Sequence, residues 1–328
     1  MRELIVLRAR AFWVASPGRG EIRDEDLSNP TDSEVLVRAL YSGISRGTEA
    51  LVFNGRVPAT ERERMRAPFQ AGDFPAPVKY GYASVGRVER GRAGVLDRVV
   101  FALYPHQTRY VVPVSSVHFV PEDVPPERAI LAANMETAVN VVWDADPAPG
   151  SRVTVIGAGT VGCLAAYFSR RSAGCDVELV DVNPSRANVA RALGVRFAGP
   201  SEAAADAGAI IHASGSPAGL ELALRLAAFE GTIVEASWYG DQIVPLTLGG
   251  AFHSRRLTIK SSQVGAVAPS RRDRCDSNCR MQVALECLRD GTLDAIVTDE
   301  SAFDDLPDVM RRLAAAPGDT LCHRIRYV

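Results

Sequence analysis

The chain lacks several features that would assign it to a membrane, secretory or nucleic-acid-binding class. No run approaches the roughly 18 apolar residues that a membrane-spanning helix requires. The N-terminal stretch MRELIVLRARAFWV has neither a long apolar core nor a small-residue cleavage site, so we expect no signal peptide. The formal net charge of −2 offers no attraction for a polyanion. We therefore expect neither a membrane nor a nucleic acid among the partners.

Cysteine and lysine are both scarce. The six cysteines show no paired C-x-x-C spacing, which favours reduced thiols in a cytoplasmic protein. Cys275 and Cys279 could share a helix face, but no companion ligands accompany them, so we expect no metal there. Lys79 and Lys260 are the only lysines, and Lys79 lies in the mostly apolar segment VKYGYASVGRV beside two tyrosines.

The chain has two regions with different patterns of predicted secondary structure. Up to about residue 130, short strand-like segments alternate with Gly, Pro and Asn, which indicates a β-rich region. These segments are RELIVLRA, EVLVRALYSG, YASVGRVERG, DRVVFALY and RYVVPV. From about residue 130 strands alternate with helices, which predicts a parallel sheet with right-handed crossovers. The length of 328 residues suits two domains, and the fold class is α/β.

The strongest motif is VTVIGAGTVG, in which Gly157, Gly159 and Gly162 form G-x-G-x-x-G between an apolar strand and a helix. Gly157 permits a tight turn. Gly159 lets backbone N–H groups approach a pyrophosphate at the positive end of the helix. Gly162 lets the helix pack close to the strand. The pattern predicts a dinucleotide cradle that includes Thr160 and Val161, and the alternative is a glycine-rich turn without a nucleotide.

Asp181 ends the next predicted strand, DVELVDV. A carboxylate at this place accepts hydrogen bonds from the adenosine ribose hydroxyls and repels a 2′-phosphate. The sequence therefore favours NAD as the cofactor, with NADP less favoured. Arg186, five residues on, could soften this preference.

Three motifs together resemble those of the medium-chain dehydrogenase/reductase superfamily, the alcohol dehydrogenase-like group. SGISRGTE (42–49) and YGYASVG (80–86) are similar to the segments that carry that family's first two catalytic zinc ligands, and the glycine cradle is the third motif. The resemblance covers essentially the whole chain. It implies a GroES-like β-rich catalytic domain (1–133), a Rossmann doubly wound parallel-sheet nucleotide domain (134–266) and a C-terminal return to the catalytic domain (267–328). It also implies a homodimer or a larger assembly.

The ligand positions implied by this resemblance hold Ser45, Tyr82 and Ala133. Zinc requires thiolate, imidazole or carboxylate donors, so we predict no zinc. The four-cysteine lobe of many family members is also missing. The pairing of SGIS-x-GTE with YGY-x-S-x-G is most similar to the zinc-free bacteriochlorophyllide hydroxyethyl dehydrogenases, although the rest of the chain does not define that substrate.

Without zinc, a side chain must transfer the hydroxyl proton of an alcohol substrate. Tyr82 is the first candidate, and Lys79, also assigned to the substrate pocket, could lower the pKa of Tyr82. The alternative is that Tyr82 only fills the space left by zinc. Ser45 and Thr48 could relay the proton, or they could satisfy the hydrogen bonds of their own turn.

Three further groups are weaker candidates for proton transfer. Glu49 could bind a substrate hydroxyl, and the alternative is a structural ion pair. Glu136 could reach the site, and the alternative is a helix-start carboxylate that interacts with the helix dipole. His106 is a possible base, and a solvated loop histidine is the more favoured interpretation.

The resemblance also implies contacts with the cofactor and a substrate pocket. Arg46 is similar to the residue that contacts the pyrophosphate, and Thr137 to a residue near the carboxamide. Ser214 should border the adenosine half and Ser237 the nicotinamide side. Trp238 and Tyr239 follow a strand end, where ligands bind in such sheets, and they line either the substrate pocket or a domain interface.

We therefore predict a zinc-independent, NAD(H)-dependent oxidoreductase that acts on a secondary alcohol or ketone as its small-molecule substrate. One alternative is a zinc-free, NADPH-dependent enoyl or quinone reductase. The other is a catalytically silent dinucleotide-binding protein.

Overall fold

The computed structural model describes residues 7–327, except for the side chain of residue 173. The first part of the predicted strand RELIVLRA lies outside these residues. The strands are β1 (Leu7–Ser16), β2 (Arg19–Leu27), β3 (Glu34–Ile44), β4 (Ala71–Gly72), β5 (Val78–Lys79), β6 (Ser84–Arg90), β7 (Val99–Ala102), β8 (Arg109–Pro113), β9 (Val117–Phe119), β10 (Arg152–Ile156), β11 (Asp176–Val180), β12 (Arg196–Ala198), β13 (Ala207–His212), β14 (Ala227–Glu235), β15 (Thr258–Ser261), β16 (Val297–Ala302) and β17 (Cys322–Arg326). The helices are α1 (Arg46–Phe53), α2 (Pro126–Ala129), α3 (Ala132–Ala145), α4 (Thr160–Ala173), α5 (Ala187–Ala192), α6 (Pro217–Leu226), α7 (Ser277–Cys287) and α8 (Leu306–Ala315).

The described chain forms two compact units. The first unit comprises the residues up to 133 and those from 297 onward, and the second comprises residues 134–296. Residues 267–296 therefore belong to the second unit, whereas the predicted C-terminal return began at 267. The physical reason is α7, whose Arg280 forms a buried ion pair with Glu136 on α3 of the same unit.

The first unit is built from two largely antiparallel sheets. One sheet has the order β2-β1-β5-β4, and the other has β16-β17-β3-β6-β7-β9 with β8 paired to β3. Its core contains valines of β3, β6 and β7 and the stacked rings of Tyr104 and Tyr110, whose centroids are 4.0 Å apart. The strands predicted at EVLVRALYSG, YASVGRVERG, DRVVFALY and RYVVPV are confirmed as β3, β6, β7 and β8.

The second unit is a six-stranded parallel sheet with the order β12-β11-β10-β13-β14-β15. This is the order of a doubly wound nucleotide-binding sheet, in which the crevice opens where the order reverses, between β10 and β13. β10 and β11 are buried at every position except the first, as expected for strands covered on both faces. The predicted α/β fold class with a Rossmann sheet is confirmed.

The structure differs from the sequence patterns at several places. The sequence PPERAILAANMETAVNVVWDA (125–145) has a continuous helical pattern, but it divides into α2 and α3 around Ile130 and Leu131. The sequence patterns gave no sign of β2, because its residues RGEIRDEDL are charged and mostly solvent-accessible. Cys275 and Cys279 form a disulfide, and Cys275 precedes α7. They are therefore neither free thiols nor partners on one helix face.

Among residues 7–327, no helix combines the length and the apolar character needed to cross a bilayer.

Candidate functional site

The glycine cradle joins the end of β10 to the start of α4. Gly157 has a φ of +105°, and a Cβ there would lie 2.6 Å from the Cα of Ser214. A Cβ on Gly162 would collide with the carbonyl oxygen of Gly157. Gly159, the N-cap of α4, has open space where its Cβ would be, with no heavy atom of its surroundings within 4 Å. The cradle therefore offers room beside a helix N-terminus, which suits a phosphate.

Asp181 follows β11 and contacts the cradle directly. Its Oδ2 accepts a 2.6 Å hydrogen bond from the Ala158 N–H, and its Oδ1 accepts one of 2.8 Å from the Asn183 N–H. Each carboxylate oxygen retains lone-pair capacity for a further donor. Arg186 is buried in the turn that follows. Its charge opposes the burial that raises the pKa of Cys163 to about 12.

A polar cluster lies at the adjacent ends of β13 and β14. His212 is fully buried and stands opposite Glu235 in the strand register. Its Nδ1 is 2.7 Å from Glu235 Oε2, and its Nε2 is 2.6 Å from Ser214 Oγ. Ser237 N–H donates to Glu235 Oε1 at 2.7 Å, and Ser237 Oγ accepts from the Gly215 N–H at 3.0 Å.

Tyr239 also joins this cluster, because its hydroxyl donates to Glu235 Oε2 at 3.0 Å. Burial, followed by the Glu235 charge, raises the pKa of Tyr239 well above its ordinary value. Trp238 is partly buried beside it. The sequence patterns pointed to Ser214, Ser237 and Tyr239 but not to His212 and Glu235. The available signal was that both are polar residues at the ends of apolar strands, AIIH and TIVE.

Glu136 and Thr137 lie on α3. The Glu136 Oε1 accepts hydrogen bonds from Arg280 Nε at 3.1 Å and Nη2 at 3.0 Å, while Arg280 Nη1 donates to Asn140 Oδ1 at 2.6 Å. Burial raises the pKa of Glu136, and the Arg280 charge opposes that change. The carboxylate is thus committed to an ion pair, so we assign it no part in proton transfer. Thr137 is partly buried, and its predicted cofactor contact stays a prediction.

In the first unit, Tyr82 joins the two hydroxyls predicted to act with it. Its phenol forms hydrogen bonds with the side chains of Ser45, the N-cap of α1, and Thr48 in the first turn of that helix. Burial, with a smaller effect from the Glu49 charge, raises the pKa of Tyr82 to about 12. The phenol is therefore protonated throughout the neutral range.

Lys79 does not act on Tyr82 as expected. Its Nζ donates to Glu25 Oε2 at 2.6 Å and to Gln107 Oε1 at 2.8 Å, and it lies 5.9 Å from the ring centroids of Trp13 and Tyr104. A buried ammonium needs such a partner because desolvation would otherwise disfavour its charge. Lys79 therefore belongs to a structural ion pair with Glu25, and it does not lower the pKa of Tyr82.

Glu49 and His106 belong to a buried hydrogen-bonded chain. Glu49 Oε1 accepts from the Ser45 N–H at 2.7 Å, and its Oε2 is 2.8 Å from His106 Nε2. His106 Nδ1 lies 2.7 Å from Ser42 Oγ, which is 2.9 Å from the Tyr327 hydroxyl. His106 is 1% exposed, so the expected solvated loop histidine is wrong.

The same histidine explains the glycine of the YGY motif. Gly81 has a φ of +131°, and a Cβ there would lie 2.8 Å from His106 Cδ2. Arg46, at the start of α1, donates to the Thr320 carbonyl oxygen at 2.9 Å. Its predicted contact with a pyrophosphate stays a prediction.

The positions that resemble the zinc ligands do not offer a zinc-binding donor set. They hold a serine hydroxyl, a phenol hydrogen-bonded within the protein, and the buried methyl group of Ala133. Among residues 7–327, no group of three or more His, Cys, Asp or Glu is arranged to hold a metal ion. The residues present therefore do not fit a catalytic zinc of the usual type.

Comparisons with known proteins give a local match in sequence and a full-length match in fold. No family model matches the chain. An L-threonine 3-dehydrogenase of Rhizobium rhizogenes is 34% identical over 84 residues, 26% of this chain and 24% of that protein. A D-xylulose reductase A of Aspergillus oryzae is 29% identical over 108 residues, 31% of this chain and 30% of that protein. The alignments thus span only about a quarter to a third of these relatives.

Solved structures match nearly the whole chain. The L-idonate 5-dehydrogenase of Escherichia coli K-12 has a TM-score of 0.80 at 13% identity, with 98% of this chain and 99% of that chain covered. A zinc-binding dehydrogenase of Sinorhizobium meliloti 1021, described as putative and bound to NADP, has a TM-score of 0.78 at 17% identity, with coverage of 98% and 99%. An alcohol dehydrogenase of E. coli CFT073 complexed with NADH has a TM-score of 0.77 at 17% identity, with coverage of 97% and 99%.

These structural matches establish the fold, a GroES-like β-rich unit with a Rossmann unit. The local sequence matches and the structural matches are alike to proteins named dehydrogenases or reductases.

Proposed function

We propose that this protein is a medium-chain dehydrogenase that uses NAD(H) and interconverts a secondary alcohol and a ketone. The observation that carries the proposal is the Asp181 carboxylate, held 2.6 Å from the Ala158 amide inside the glycine cradle. A carboxylate in contact with the cradle accepts ribose hydroxyls and repels a 2′-phosphate. Bound there, a nicotinamide dinucleotide would supply hydride-transfer chemistry.

The residues of the cradle fit such a group. Gly159 leaves space at the N-terminus of α4, where the helix dipole and backbone N–H groups favour a phosphate. The names of the relatives also support the reaction class. L-Threonine 3-dehydrogenase and L-idonate 5-dehydrogenase denote dehydrogenation at an internal carbon of a small polar molecule.

We further propose that the reaction proceeds without zinc and that Tyr82 handles the proton. A phenol with a pKa of about 12 is a proton donor at neutral pH, so it suits protonation of a carbonyl oxygen during ketone reduction. Ser45 and Thr48, hydrogen-bonded to that phenol, would pass a proton to it afterwards. This role inverts the predicted one, in which a lysine was to make the phenol more acidic.

The test is a titration of the protein with NADH and with NADPH, followed by energy transfer from tryptophan to the reduced nicotinamide. We expect NADH to bind at least about tenfold more tightly, and Asp181→Asn to remove most of that difference. Asp176→Asn is the matched control, since Asp176 lies exposed at the other end of β11.

Each other outcome of the titration has a definite meaning. Tighter binding of NADPH would refute the NAD assignment and favour the enoyl or quinone reductase. Absence of binding for both would refute the dinucleotide site. Binding of NADH without turnover of any alcohol, ketone or enone would favour the catalytically silent protein. A small-molecule substrate, a homodimer and a cytoplasmic location stay predictions.

A further inference from the structure

Glu235, His212 and Ser214 form a linear chain that ends at the protein surface. The imidazole of His212 is fully buried, Glu235 is partly buried, and Ser214 is exposed. The two links, Glu235 Oε2 to His212 Nδ1 and His212 Nε2 to Ser214 Oγ, measure 2.7 and 2.6 Å. A buried imidazole between a carboxylate and an exposed hydroxyl controls which way that hydroxyl can hydrogen-bond.

The Glu235 carboxylate determines which atoms donate and which accept along this hydrogen-bonded series. Ionised Glu235 only accepts hydrogen bonds, and it already accepts from the Ser237 N–H and the Tyr239 hydroxyl. His212 Nδ1 must therefore carry the proton that faces Glu235, and in the neutral imidazole Nε2 is then the acceptor. With the imidazole neutral, the Ser214 hydroxyl donates its proton to Nε2. What Ser214 then offers to the outside is an acceptor oxygen.

The local backbone holds Ser214 beside the cradle and against the imidazole. A Cβ on Gly157 would lie 2.6 Å from the Ser214 nitrogen and Cα, so the cradle turn packs directly on this residue. A Cβ on Gly219, in the first turn of α6, would lie 2.7 Å from His212 Nε2 and would collide with Ser214 Oγ. The Ser216 N–H donates to Ser214 Oγ at 3.2 Å, which leaves one lone-pair direction for a ligand.

We propose that Ser214 accepts a hydrogen bond from a ribose hydroxyl of the bound dinucleotide, and that His212 and Glu235 are positioning residues that keep Ser214 an acceptor. This inference rests on the proposed function, because it requires a dinucleotide in the cradle. A hydroxyl can donate to this oxygen, whereas a phosphate oxygen has no proton to donate and would face the nearby Glu235 charge. The hydrogen-bonded series of Glu235, His212 and Ser214 would thus select a free sugar hydroxyl. Its binding position on the dinucleotide would be distinct from the one that Asp181 recognises.

The first experiment measures NADH dissociation constants for single and double variants. We expect Ser214→Ala to weaken NADH binding about five- to tenfold, as the loss of one hydrogen bond would. His212→Asn, which can keep the contact with Glu235 but not the one with Ser214, should weaken binding equally. His212→Gln, which can present an acceptor to Ser214, should stay within about threefold of the wild type. The double variant Ser214→Ala/His212→Asn should bind no more weakly than Ser214→Ala alone.

Ser216→Ala in the same loop is the control and should bind NADH as the wild type does. Thermal unfolding of each variant separates loss of the fold from loss of the contact. The proposed hydrogen-bonded series is refuted if Ser214→Ala binds NADH like the wild type. It is also refuted if the losses of NADH affinity from Ser214→Ala and His212→Asn add in the double variant. In both cases the dinucleotide site stands. If the wild type binds neither NADH nor NADPH, the proposed function itself fails, and this inference fails with it.

The second experiment identifies the partner of Ser214. NADH analogues that lack one ribose hydroxyl at a time are titrated against the wild type and Ser214→Ala. We expect the Ser214→Ala penalty to vanish for one analogue only, because that analogue has already lost the donor. A penalty that persists with every analogue would refute a ribose hydroxyl as the ligand of Ser214.

Discussion

Tyr82 lies among groups that stabilise its neutral form. Burial disfavours the phenolate, and the negative charge of Glu49 adds to that effect. The two hydroxyls that bond to it, from Ser45 and Thr48, oppose the shift without reversing it. The residue therefore has the environment of an acid at neutral pH, and the rate of a ketone reduction should depend on its hydroxyl.

We expect Tyr82→Phe to lower the turnover number for ketone reduction about 10²-fold or more, with little change in the NADH dissociation constant. Tyr80→Phe is the matched control, because Tyr80 is a buried phenol in the same motif with its ring centroid 6.0 Å from that of Tyr82. The phenol is present below its pKa, so the wild-type reductase rate should not fall through this group until the pH approaches about 12. Steady-state rates and pH profiles measure both effects. Full turnover by Tyr82→Phe would exclude the phenol as the proton donor.

At the scale of elements, the glycines of the cradle serve two different purposes within six residues. One is needed for packing between strand and helix, and another leaves space for a ligand. A Cβ on Gly162 would collide with the Gly157 carbonyl oxygen, whereas a Cβ on Gly159, the N-cap of α4, would meet open space. The same substitution at the two positions should therefore have two different effects.

We expect Gly162→Ala to lower the free energy of unfolding by about 1–3 kcal/mol, because the added methyl group overpacks the strand–helix contact. Gly159→Ala should leave the melting temperature within a few degrees of the wild type but weaken NADH binding at least tenfold, because its methyl group occupies space suited to a phosphate. Calorimetry and NADH titration test the pair. Equal loss of stability in both variants would contradict the assignment of Gly159 to the ligand.

The elements that could be predicted from sequence are those whose signal is local. The cradle and Asp181 are encoded in one strand–turn–helix–strand segment, and the six-stranded sheet follows from its alternating pattern. The pair of His106 and Glu49 could not be predicted, since the two residues are 57 positions apart and meet only after the first unit folds. The same holds for His212 and Glu235, which are 23 positions apart and adjacent only in the parallel register. β2 could not be predicted because its charged residues lack the apolar alternation that is typical of a half-buried strand.

At the scale of the whole molecule, buried tyrosine is distributed unevenly between the two units. Every one of the eight tyrosines has its pKa raised, and burial is the largest cause at each. In the first unit, Tyr80, Tyr104, Tyr110 and Tyr327 are each less than a tenth exposed, whereas in the second only Tyr167 is. The first unit therefore carries most of the groups whose ionisation favours unfolding.

The sign of the resulting pH dependence follows from the direction of these shifts. A tyrosine whose pKa is raised in the folded state gives its full stability contribution below the unfolded pKa of about 10, and loses it as the pH rises through the folded value. Each fully buried tyrosine can lower the free energy of unfolding by up to about 1.4 kcal/mol per pH unit in that interval.

We expect stability to fall steeply above pH 10, with amide protection lost in the first unit before the second. Hydrogen exchange with mass spectrometry measures the order in which the units lose protection, and the ultraviolet absorbance of tyrosinate follows the ionisation. Tyr104→Phe should shift the alkaline midpoint of the first unit upward, since Tyr104 is 8% exposed and burial is the largest cause of its raised pKa. If the second unit opened first, the buried tyrosines would not govern the alkaline limit of this fold.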